Sequence, residues 1–430
     1  MRVALVNPPW SFEGSVYFGC REPHLPLELG YARALLERAG HEAWIVDAQA
    51  RGLDFAGLRA KVEALRPDMS AIATAPSYLF WRCAPPELRV PMAAAAALRG
   101  VGGALVAVGP HASTAPGAAL RKLDADAAVL GECEEVLVRL ATATPARWAD
   151  VPSIARREGG AVSAHGGLHA ADVATLPALR WTDEEVARHM HHHHRFDAPP
   201  AGPGVEIEAS RGCPYHCTFC AKDSFRDRYR RRPLEVVLDE LDALIAQGAR
   251  YAYFIDEIFL PDEALLEALA RRDIAFGVQL RIDNWSPAHL DLLGRAGCVS
   301  IEAGVESVSP AGRALLEKRC RLSTAELVER LEHAKRRVPF VQANLLDSTA
   351  DDPAEVEAFR RRLREQGVWA SEPVPLFPYP GSPEYARRWG PPDDTAWERA
   401  HAHYLEQHCA FSDLQDRRPL PLPELEHAIG

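Results

Sequence analysis

Short apolar runs alternate with amphipathic stretches along the first third of the chain. The amphipathic stretches, for example residues 26–39 and 53–65, repeat their apolar positions with a helical period and stop before Gly40 and Pro67. Strands that alternate with helices predict a parallel, doubly wound sheet. The predicted strands are residues 2–7, 43–47, 69–74, 104–109 and 127–130. Ligands of such sheets bind at the loops that follow the strands.

The alternation breaks between residues 142 and 204. Residues 156–169 contain Gly-Gly pairs and predict a hairpin, and the stretch A-P-P-A-G-P-G follows near residue 200. Before that stretch, His189 and residues 191–194 form a histidine run. This composition predicts an interdomain linker with solvated histidines, and a metal-binding or interface role is the alternative.

From residue 205 the strand–helix alternation resumes. Six such units predict a partial (β/α)6 TIM barrel, whose reactive face carries the loops after the strands. The predicted strands are residues 205–209, 251–255, 275–280, 299–303, 340–345 and 369–376. The chain is therefore predicted to be α/β, with a Rossmann-like domain at 1–141, a linker at 142–204, the barrel at 205–390 and a short helix and tail at 391–430.

The composition is typical of a globular protein. Of 430 residues, 47% are hydrophobic and 25% are charged, and the formal net charge of −11 gives no general attraction to nucleic acid or to anionic membranes. No apolar run is long enough for a transmembrane helix, and the N-terminus is typical of a strand rather than a signal peptide. Six of the nine cysteines are scattered without a pairing pattern, which favours a reducing cytoplasm.

The remaining three cysteines stand in the run R-G-C-P-Y-H-C-T-F-C, at Cys213, Cys217 and Cys220. The C-x3-C-x2-C spacing places three thiolates on one short loop, where they can hold three irons of a [4Fe–4S] cluster and leave the fourth open. A zinc site is the alternative, but zinc sites usually need a second Cys or His pair, and only His216 lies nearby. The spacing therefore favours an open iron–sulfur cluster.

The cysteine loop resembles the signature of radical S-adenosylmethionine (SAM) enzymes, which also have an aromatic residue where Phe219 stands. The resemblance implies that the open iron binds SAM and that Phe219 lies beside the adenine. An electron from the cluster then cleaves SAM to methionine and a 5′-deoxyadenosyl radical. It also implies an electron donor such as a reductase, flavodoxin or ferredoxin.

Acidic and polar residues follow three successive barrel strands. Asp256 or Glu257 is the candidate for the SAM ammonium group, and the next strand presents Arg281 and Asp283. The run after the fourth strand, I-E-A-G-V-E-S, is similar to a G-x-E-S motif of the family and implies contacts to the SAM ribose or carboxylate from Glu302, Glu306 and Ser307. Salt bridges at the barrel rim are the alternative for each acid. L-L-D-S-T replaces the family's Gly-Pro run after the fifth strand.

The first domain resembles the cobalamin-binding domain of some radical SAM proteins, through V-A-V-G-P-H-A-S and A-A-V-L-G-E-C-E-E. From the residues alone, tight turns at the strand ends are the favoured interpretation of these glycines. The D-x-H-x-x-G motif that donates a cobalt ligand in some cobalamin proteins is absent, so Tyr78 and Trp81 are candidates for the lower face of cobalt, and His111 is a weaker one. The candidate cobalamin contacts are Asn7, Pro8, Ser77, Tyr78, Gly109, His111, Gly131 and Glu132.

The resemblance, which extends over roughly residues 1 to 390, implies a cobalamin-dependent C-methyltransferase acting on a small molecule. In the family, one SAM methylates cobalt and a second yields the radical that activates the substrate carbon. A non-methyl outcome such as cyclisation or rearrangement stays open. A methylthiotransferase would need a second cluster, for which Cys20, Cys83 and Cys133 are poorly spaced, and a non-turnover cofactor sensor is a further alternative.

Overall fold

The structure is a computed structural model that describes residues 1–15, 23–77, 84–189, 202–226, 228–408 and 420–427. The chain divides into two compact units. The first comprises residues 1–180, 220–227 and 377–430, and the second comprises residues 181–219 and 228–376. No helix in the described residues is long and apolar enough to cross a membrane.

The first unit is built on a seven-stranded sheet in which the five strands that the sequence predicts run parallel, as expected. Two further strands pair antiparallel and extend the sheet from residues that the sequence places in the linker. In chain order the strands are β1 (Arg2–Asn7), β2 (Glu42–Asp47), β3 (Met69–Ala73), β4 (Ala104–Val108), β5 (Ala127–Val129), β6 (Ile154–Glu158) and β7 (Ala161–His165). The sheet order is β2-β1-β3-β4-β5-β6-β7.

Helices cover this sheet because its central strands β1, β3, β4 and β5 are apolar on both faces. In β1, Val3 and Leu5 join one buried cluster, and Ala4 and Val6 join another. Strands that are buried on both faces are typical of parallel sheets. The helices are α1 (Leu27–Arg38), α2 (Phe55–Leu65), α3 (Arg89–Leu98), α4 (Pro110–Thr114), α5 (Pro116–Leu123) and α6 (Glu134–Thr142), followed by a 3₁₀ turn at Pro145–Asp150.

The second unit contains a six-stranded parallel sheet in the sequential order of a partial barrel. The strands of this unit are β8 (Gly204–Ile207), β9 (Ser210–Arg211), β10 (Arg230–Arg231), β11 (Tyr251–Phe254), β12 (Ala275–Leu280), β13 (Cys298–Glu306), β14 (Phe340–Leu345) and β15 (Trp369–Ala370). The sheet order is β15-β14-β13-β12-β11-β8, and β9 and β10 form a separate antiparallel ribbon. The predicted α/β class with two parallel sheets is confirmed.

Helices follow most strands of the second unit. One further helix precedes β8, and two helices rather than one lie between β13 and β14. They are α7 (Asp183–Ala187), α8 (Leu234–Ala246), α9 (Glu263–Leu269), α10 (Pro287–Arg295), α11 (Pro310–Leu315), α12 (Thr324–Lys335) and α13 (Pro353–Glu365), with a 3₁₀ turn at Ile282–Asn284. The remaining elements belong to the first unit: a 3₁₀ turn at Lys222–Ser224 and the helices α14 (Pro383–Trp389), α15 (Ala396–His408) and α16 (Leu422–His427).

In β12, β13 and β14 of the six-stranded sheet, one face is apolar and the other carries polar side chains. Ile301 and Ala303 on β13 are buried on the apolar face. Glu302 points to the opposite face, where it lies in register with Gln279 of β12 and Gln342 of β14. A core of Val, Ile and Phe on one face and amides and carboxylates on the other leaves a polar surface that can contact a ligand.

Candidate active site

The cysteine loop leaves β9 and is closed by its ribbon with β10. Arg211 pairs with Arg230 across the ribbon. Gly212 then turns the chain with a φ of +77°, and a Cβ at this position would lie 2.0 Å from the carbonyl oxygen of Arg228. Only glycine fits here, since both the backbone conformation and the close approach exclude a side chain.

Cys213, Cys217 and Cys220 are all half-buried. In the described parts of the chain, no three His, Cys, Asp or Glu side chains stand close enough together to hold a metal ion as placed. The assignment of the three cysteines as cluster ligands therefore stays a prediction that rests on their spacing and on the loop around them.

Asp256 and Glu257, the candidates for the SAM ammonium group, hold the backbone that enters the cysteine loop. Asp256 is buried and accepts hydrogen bonds from the backbone N–H of Ala209, at 2.9 Å, and from the hydroxyl of Ser210. Glu257 accepts from the N–H of Gly212 at 2.7 Å. Burial raises the pKa of Asp256 to about 8, and the nearby carboxylates of Glu208 and Glu257 add to the shift. This geometry favours a positioning role for both acids.

We expect Asp256→Asn to fold and Asp256→Ala to lose about 1–3 kcal/mol of unfolding free energy, because alanine leaves the buried N–H of Ala209 without an acceptor. The Asp256 carboxyl has an ordinary pKa of 3.8 and a folded-state pKa of about 8. Its contribution to stability is therefore complete below pH 3.8 and is lost as the pH rises through about 8. Asp256→Asn should remove this pH dependence, as denaturant unfolding at several pH values would measure. A large rise in the SAM dissociation constant of a stably folded Asn variant would instead support direct contact with SAM.

Arg281 supports the cysteine loop from the end of β12. Its guanidinium lies 3.8 Å from the ring centroid of Tyr215, and it pairs with Asp283 at 2.7 Å. The hydroxyl of Tyr215 donates to the side-chain oxygen of Asn284 at 2.6 Å. One Arg281 nitrogen, Nη1, is buried and has no hydrogen-bond partner in the described residues. A buried guanidinium nitrogen in this position suits a carboxylate such as that of SAM.

Burial raises the pKa of the Cys217 thiol, while the positive charges of Lys318 and Arg281 act against that shift. The net shift favours the thiol, and of the surrounding charges only those of Lys318 and Arg281 favour the thiolate, the form in which cysteine binds iron. The donor set and the charges around it fit an iron–sulfur cluster.

The G-x-E-S candidates reach different surroundings. Glu302 is half-buried on the polar face of β13. Glu306 takes a φ of +62° and pairs with the ammonium of Lys318. Ser307 is buried and donates to Asp351 at 2.8 Å, and Asp351 also accepts from the N–H of Val308 at 3.0 Å. Ser307 is thus engaged in a turn and Glu306 in an ion pair, while Glu302 lies on the polar face of the sheet.

In the first unit, Asn7 and Pro8 follow β1. Asn7 donates to Asp47 at 3.0 Å and accepts from the indole N–H of Trp10 at 2.7 Å, so its amide links two strand ends. Pro8 is buried. Both residues lie where a ligand of a doubly wound sheet is expected.

Ser77 follows β3 and donates to the carboxyl of Glu28, with both carboxyl oxygens at 2.6 Å. Glu28 is buried at the start of α1. Burial raises its pKa to about 7, against the hydrogen bond from Ser77 and the charge of Arg226. Glu28 was not predicted as a site residue, because a single acid in a helix has no spacing signal.

The glycines after β4 and β5 adopt conformations that favour glycine. Gly109 has a φ of +122° and Gly131 a φ of +84°, and a Cβ on Gly131 would lie 2.2 Å from the carbonyl oxygen of His169. Glu132 is buried and accepts from the N–H of Ala171 at 2.6 Å. These contacts are those of tight turns, and a cobalamin contact at these three residues stays a prediction.

His111 is fully buried, and one of its ring nitrogens, Nε2, lies 2.6 Å from the carbonyl oxygen of Pro85. Burial lowers its pKa to about 4, so the imidazole is neutral at pH 7. Its ring lies 4.4 Å from that of Trp397 on α15. One turn further along α15, both ring nitrogens of the buried His401 have no hydrogen-bond partner in the described residues, and neither has the indole nitrogen of Trp397.

Unsatisfied buried nitrogens of this kind are rare in folded proteins. They fit a ligand with many amide and phosphate groups, which is the chemistry that cobalamin presents. Tyr78, Trp81, Cys20, Cys83 and the histidines at 191–194 lie outside the described residues. His189 is buried, and its Nδ1 lies 2.6 Å from the carbonyl oxygen of Glu185.

Comparison with known proteins bears on both units. Residues 207–359 match the model of the radical SAM superfamily, which confirms the resemblance of the cysteine loop to that family. An uncharacterised methyltransferase of Pyrococcus horikoshii is 23% identical over 89% of this chain and 82% of its own length. The anaerobic magnesium-protoporphyrin IX monomethyl ester cyclase of Cereibacter sphaeroides is 26% identical over 72% of this chain, which spans about half (51%) of that protein.

Two solved structures share the fold. The radical SAM methyltransferase TsrM from Kitasatospora setae, solved with cobalamin and a [4Fe–4S] cluster, gives a TM-score of 0.70 at 21% identity and covers 90% of this chain and 78% of TsrM. The cobalamin-dependent radical SAM enzyme OxsB gives 0.67 at 16% identity and covers 94% of this chain and 66% of OxsB. At these identities the likeness shows a common two-domain fold.

Proposed function

We propose that this chain is a cobalamin-dependent radical SAM enzyme that methylates an unactivated carbon of a small molecule. Its radical SAM domain follows a parallel-sheet domain in the sequence. The observation that carries the proposal is the C-x3-C-x2-C loop within the matched domain, held against the strand ends by Tyr215 and Arg281. The fold shared with TsrM and OxsB supports cobalamin as the second cofactor.

The cluster and SAM supply a carbon radical, and cobalamin supplies a methyl carrier. The protein contributes placement. Cys213, Cys217 and Cys220 hold three irons, while Asp256 and Glu257 fix the backbone that leads into their loop. Arg281 Nη1 is placed to bind a carboxylate, which suits the methionine end of SAM.

For the first unit, we assign contacts with cobalamin to the buried nitrogens of His401 and Trp397. Trp397 lies beside the loop after β4, at the edge of the sheet where doubly wound folds bind ligands, and His401 lies one turn further along α15. The neutral imidazole of His111 adds a polar atom without a charge. His401 and Trp397 could not be assigned to this site from the sequence, because α15 lies almost three hundred residues after the loop that follows β4.

The polar face of the second sheet is the proposed substrate surface. Gln279, Glu302 and Gln342 lie in register across three strands, and the side-chain oxygen of Gln279 is buried without a hydrogen-bond partner in the described residues. The amide of Gln342 donates to Asn344 at 2.5 Å. Such a row favours a substrate with hydrogen-bond donors over a purely apolar one.

A cyclisation is the second candidate. The likeness to the Cereibacter sphaeroides cyclase extends over 72% of this chain and therefore includes more than the radical SAM domain. In that reaction the same cofactors would act without net transfer of a methyl group.

SAM labelled in its adenosine part distinguishes these functions. The reconstituted protein, reduced with dithionite and supplied with cobalamin, should release both S-adenosylhomocysteine and 5′-deoxyadenosine, since methyl donation and radical formation each consume SAM. 5′-Deoxyadenosine without S-adenosylhomocysteine would favour cyclisation. A protein with a full cluster that releases neither product would contradict the proposed function.

A further inference from the structure

The connections of the first sheet change direction between β1 and β3. In the sheet order β2-β1-β3-β4, the helix after β1 leads outward to β2, and the helix after β3 leads to β4 on the other side. These helices, α1 and α3, cover opposite faces of the sheet, since their buried residues belong to different core clusters. The crevice between β1 and β3 is therefore the place where a doubly wound sheet binds its ligand.

The two sides of this crevice are joined by Arg89, the first residue of α3. Arg89 is buried, and its guanidinium donates to the carbonyl oxygens of Glu13, at 2.8 Å, and of Ser11, at 2.7 Å. Both acceptors belong to the loop after β1. Hydrogen bonds from a charged donor are stronger than neutral ones. The loop after β1 and the start of α3 are thus held together.

α16, with the residues just before it, lies across the same two sides. The backbone N–H of Leu420 donates to the carbonyl oxygen of Gly14, in the loop after β1, at 2.8 Å. Near the other end of α16, the Glu426 carboxylate accepts from the N–H of Leu88, just before α3, at 3.4 Å. Between these ends, Leu425 is fully buried. Residues 420–427 therefore bridge the crevice.

Lys122 of α5 holds α16 by charge. Its ammonium lies 2.6 Å from the carboxylate of Glu426 and 2.7 Å from that of Glu398 on α15. The side chains of Lys122 and Glu426 are only 15% and 11% exposed, so solvent and salt screen this pair less than a surface pair. Lys122 thus joins α16 to α15, the helix that carries Trp397 and His401.

We infer that residues 420–427 form a strap over the β1–β3 crevice that limits the exchange of the ligand bound there. This inference rests on the proposed function, which supplies cobalamin as that ligand. Entry and release of the ligand each need the strap to lift. Lifting it separates Lys122 from Glu426 and breaks the hydrogen bonds at Gly14 and Leu88. A weaker strap should therefore speed entry and release alike, and change the equilibrium affinity much less.

Two other roles for α16 predict different kinetics. A helix that only stabilises the first unit would change the free energy of unfolding when it is loosened, and it would leave both rate constants unchanged. A helix that contacts cobalamin directly would raise the release rate alone, because most losses of contact appear in dissociation. A parallel rise of both rate constants is specific to a strap.

The test measures both rate constants on the full chain with hydroxocobalamin. Absorbance after rapid mixing gives association, and a chase of labelled by unlabelled hydroxocobalamin gives release. Glu426→Gln keeps the size of the side chain and leaves Lys122 paired with Glu398, and it should raise both rate constants about tenfold. Leu425→Ala, which loosens α16 without a change of charge, should raise both as well.

Glu424→Gln is the matched control, since it makes the same change at an exposed residue of α16. Its rate constants should equal those of the parent. Parental rate constants in Glu426→Gln and Leu425→Ala, or a rise in release alone, would overturn the inference and leave the proposed function standing. A parent protein that binds no cobalamin would overturn both.

Discussion

Replacing Cys217 by alanine should abolish cluster binding and lower reductive SAM cleavage by about 10³-fold or more, because a three-cysteine cluster site that loses one ligand leaves a second iron without a protein thiolate. The measurement is iron and sulfide content together with the release of 5′-deoxyadenosine under dithionite. The effect should exceed that of any single substitution among the SAM-contact candidates.

Cys320→Ala is the matched control for Cys217→Ala. Cys320 is a half-buried cysteine of the same unit that lies outside the motif, and its sulfur contacts the carbonyl oxygen of Leu322. It should keep iron content and SAM cleavage within about threefold of the parent, since a conservative change away from the cluster costs little. Equal losses in both variants would show that the motif has no special role.

Gly212→Ala should prevent the cysteine loop from closing, because its Cβ would lie 2.0 Å from a backbone oxygen at a φ of +77°. Backbone atoms of the ribbon cannot move aside as a flexible side chain can, so we expect a loss of about 3 kcal/mol or more in unfolding free energy. Cluster incorporation should fall with it. Denaturant unfolding and iron content measure the two effects.

Gly248→Ala is the control that separates the cost of the close contact at Gly212 from the cost of the positive φ. Gly248 ends α8 with a φ of +99°, and a Cβ there would meet nothing within 4 Å. This variant should lose about 1 kcal/mol, the cost of a left-handed conformation in a residue with a side chain. If Gly212→Ala costs no more than this control, the loop is not held in the conformation described.

The strands were predictable from sequence where apolar runs are bounded by glycine or by polar residues. Residues 2–7, 275–280 and 340–345 were predicted with the bounds that β1, β12 and β14 have. The sixth barrel strand was predicted too long, as residues 369–376, whereas β15 ends at Ala370. Pro373 and Pro375 have no N–H to donate, so regular pairing cannot continue through them.

The ribbon of β9 and β10 was not predicted from the sequence, because its residues have no apolar alternation. Arg230 and Arg231 stand in a run of arginines without apolar alternation, and their pairing with Ser210 and Arg211 depends on the turn at Gly212. Periodicity carries no signal for strands of two residues.

The site was predictable only where the chemistry is local in sequence. The cysteine spacing and the acids after β11 stand in short motifs. Lys318, Asp351 and His401 reach their sites through contacts over long stretches of chain, such as the pairing of Lys318 with Glu306. Such contacts follow from the fold, and a single sequence does not reveal them.

The most direct test of the central claim is anaerobic purification with hydroxocobalamin supplied, followed by iron, sulfide and cobalamin quantitation and an ultraviolet–visible spectrum. We predict about four irons and about one cobalamin per chain. A cluster without cobalamin would contradict the assignment of the first unit and leave a radical SAM protein whose parallel-sheet domain has another role. A protein without a cluster would contradict the account as a whole.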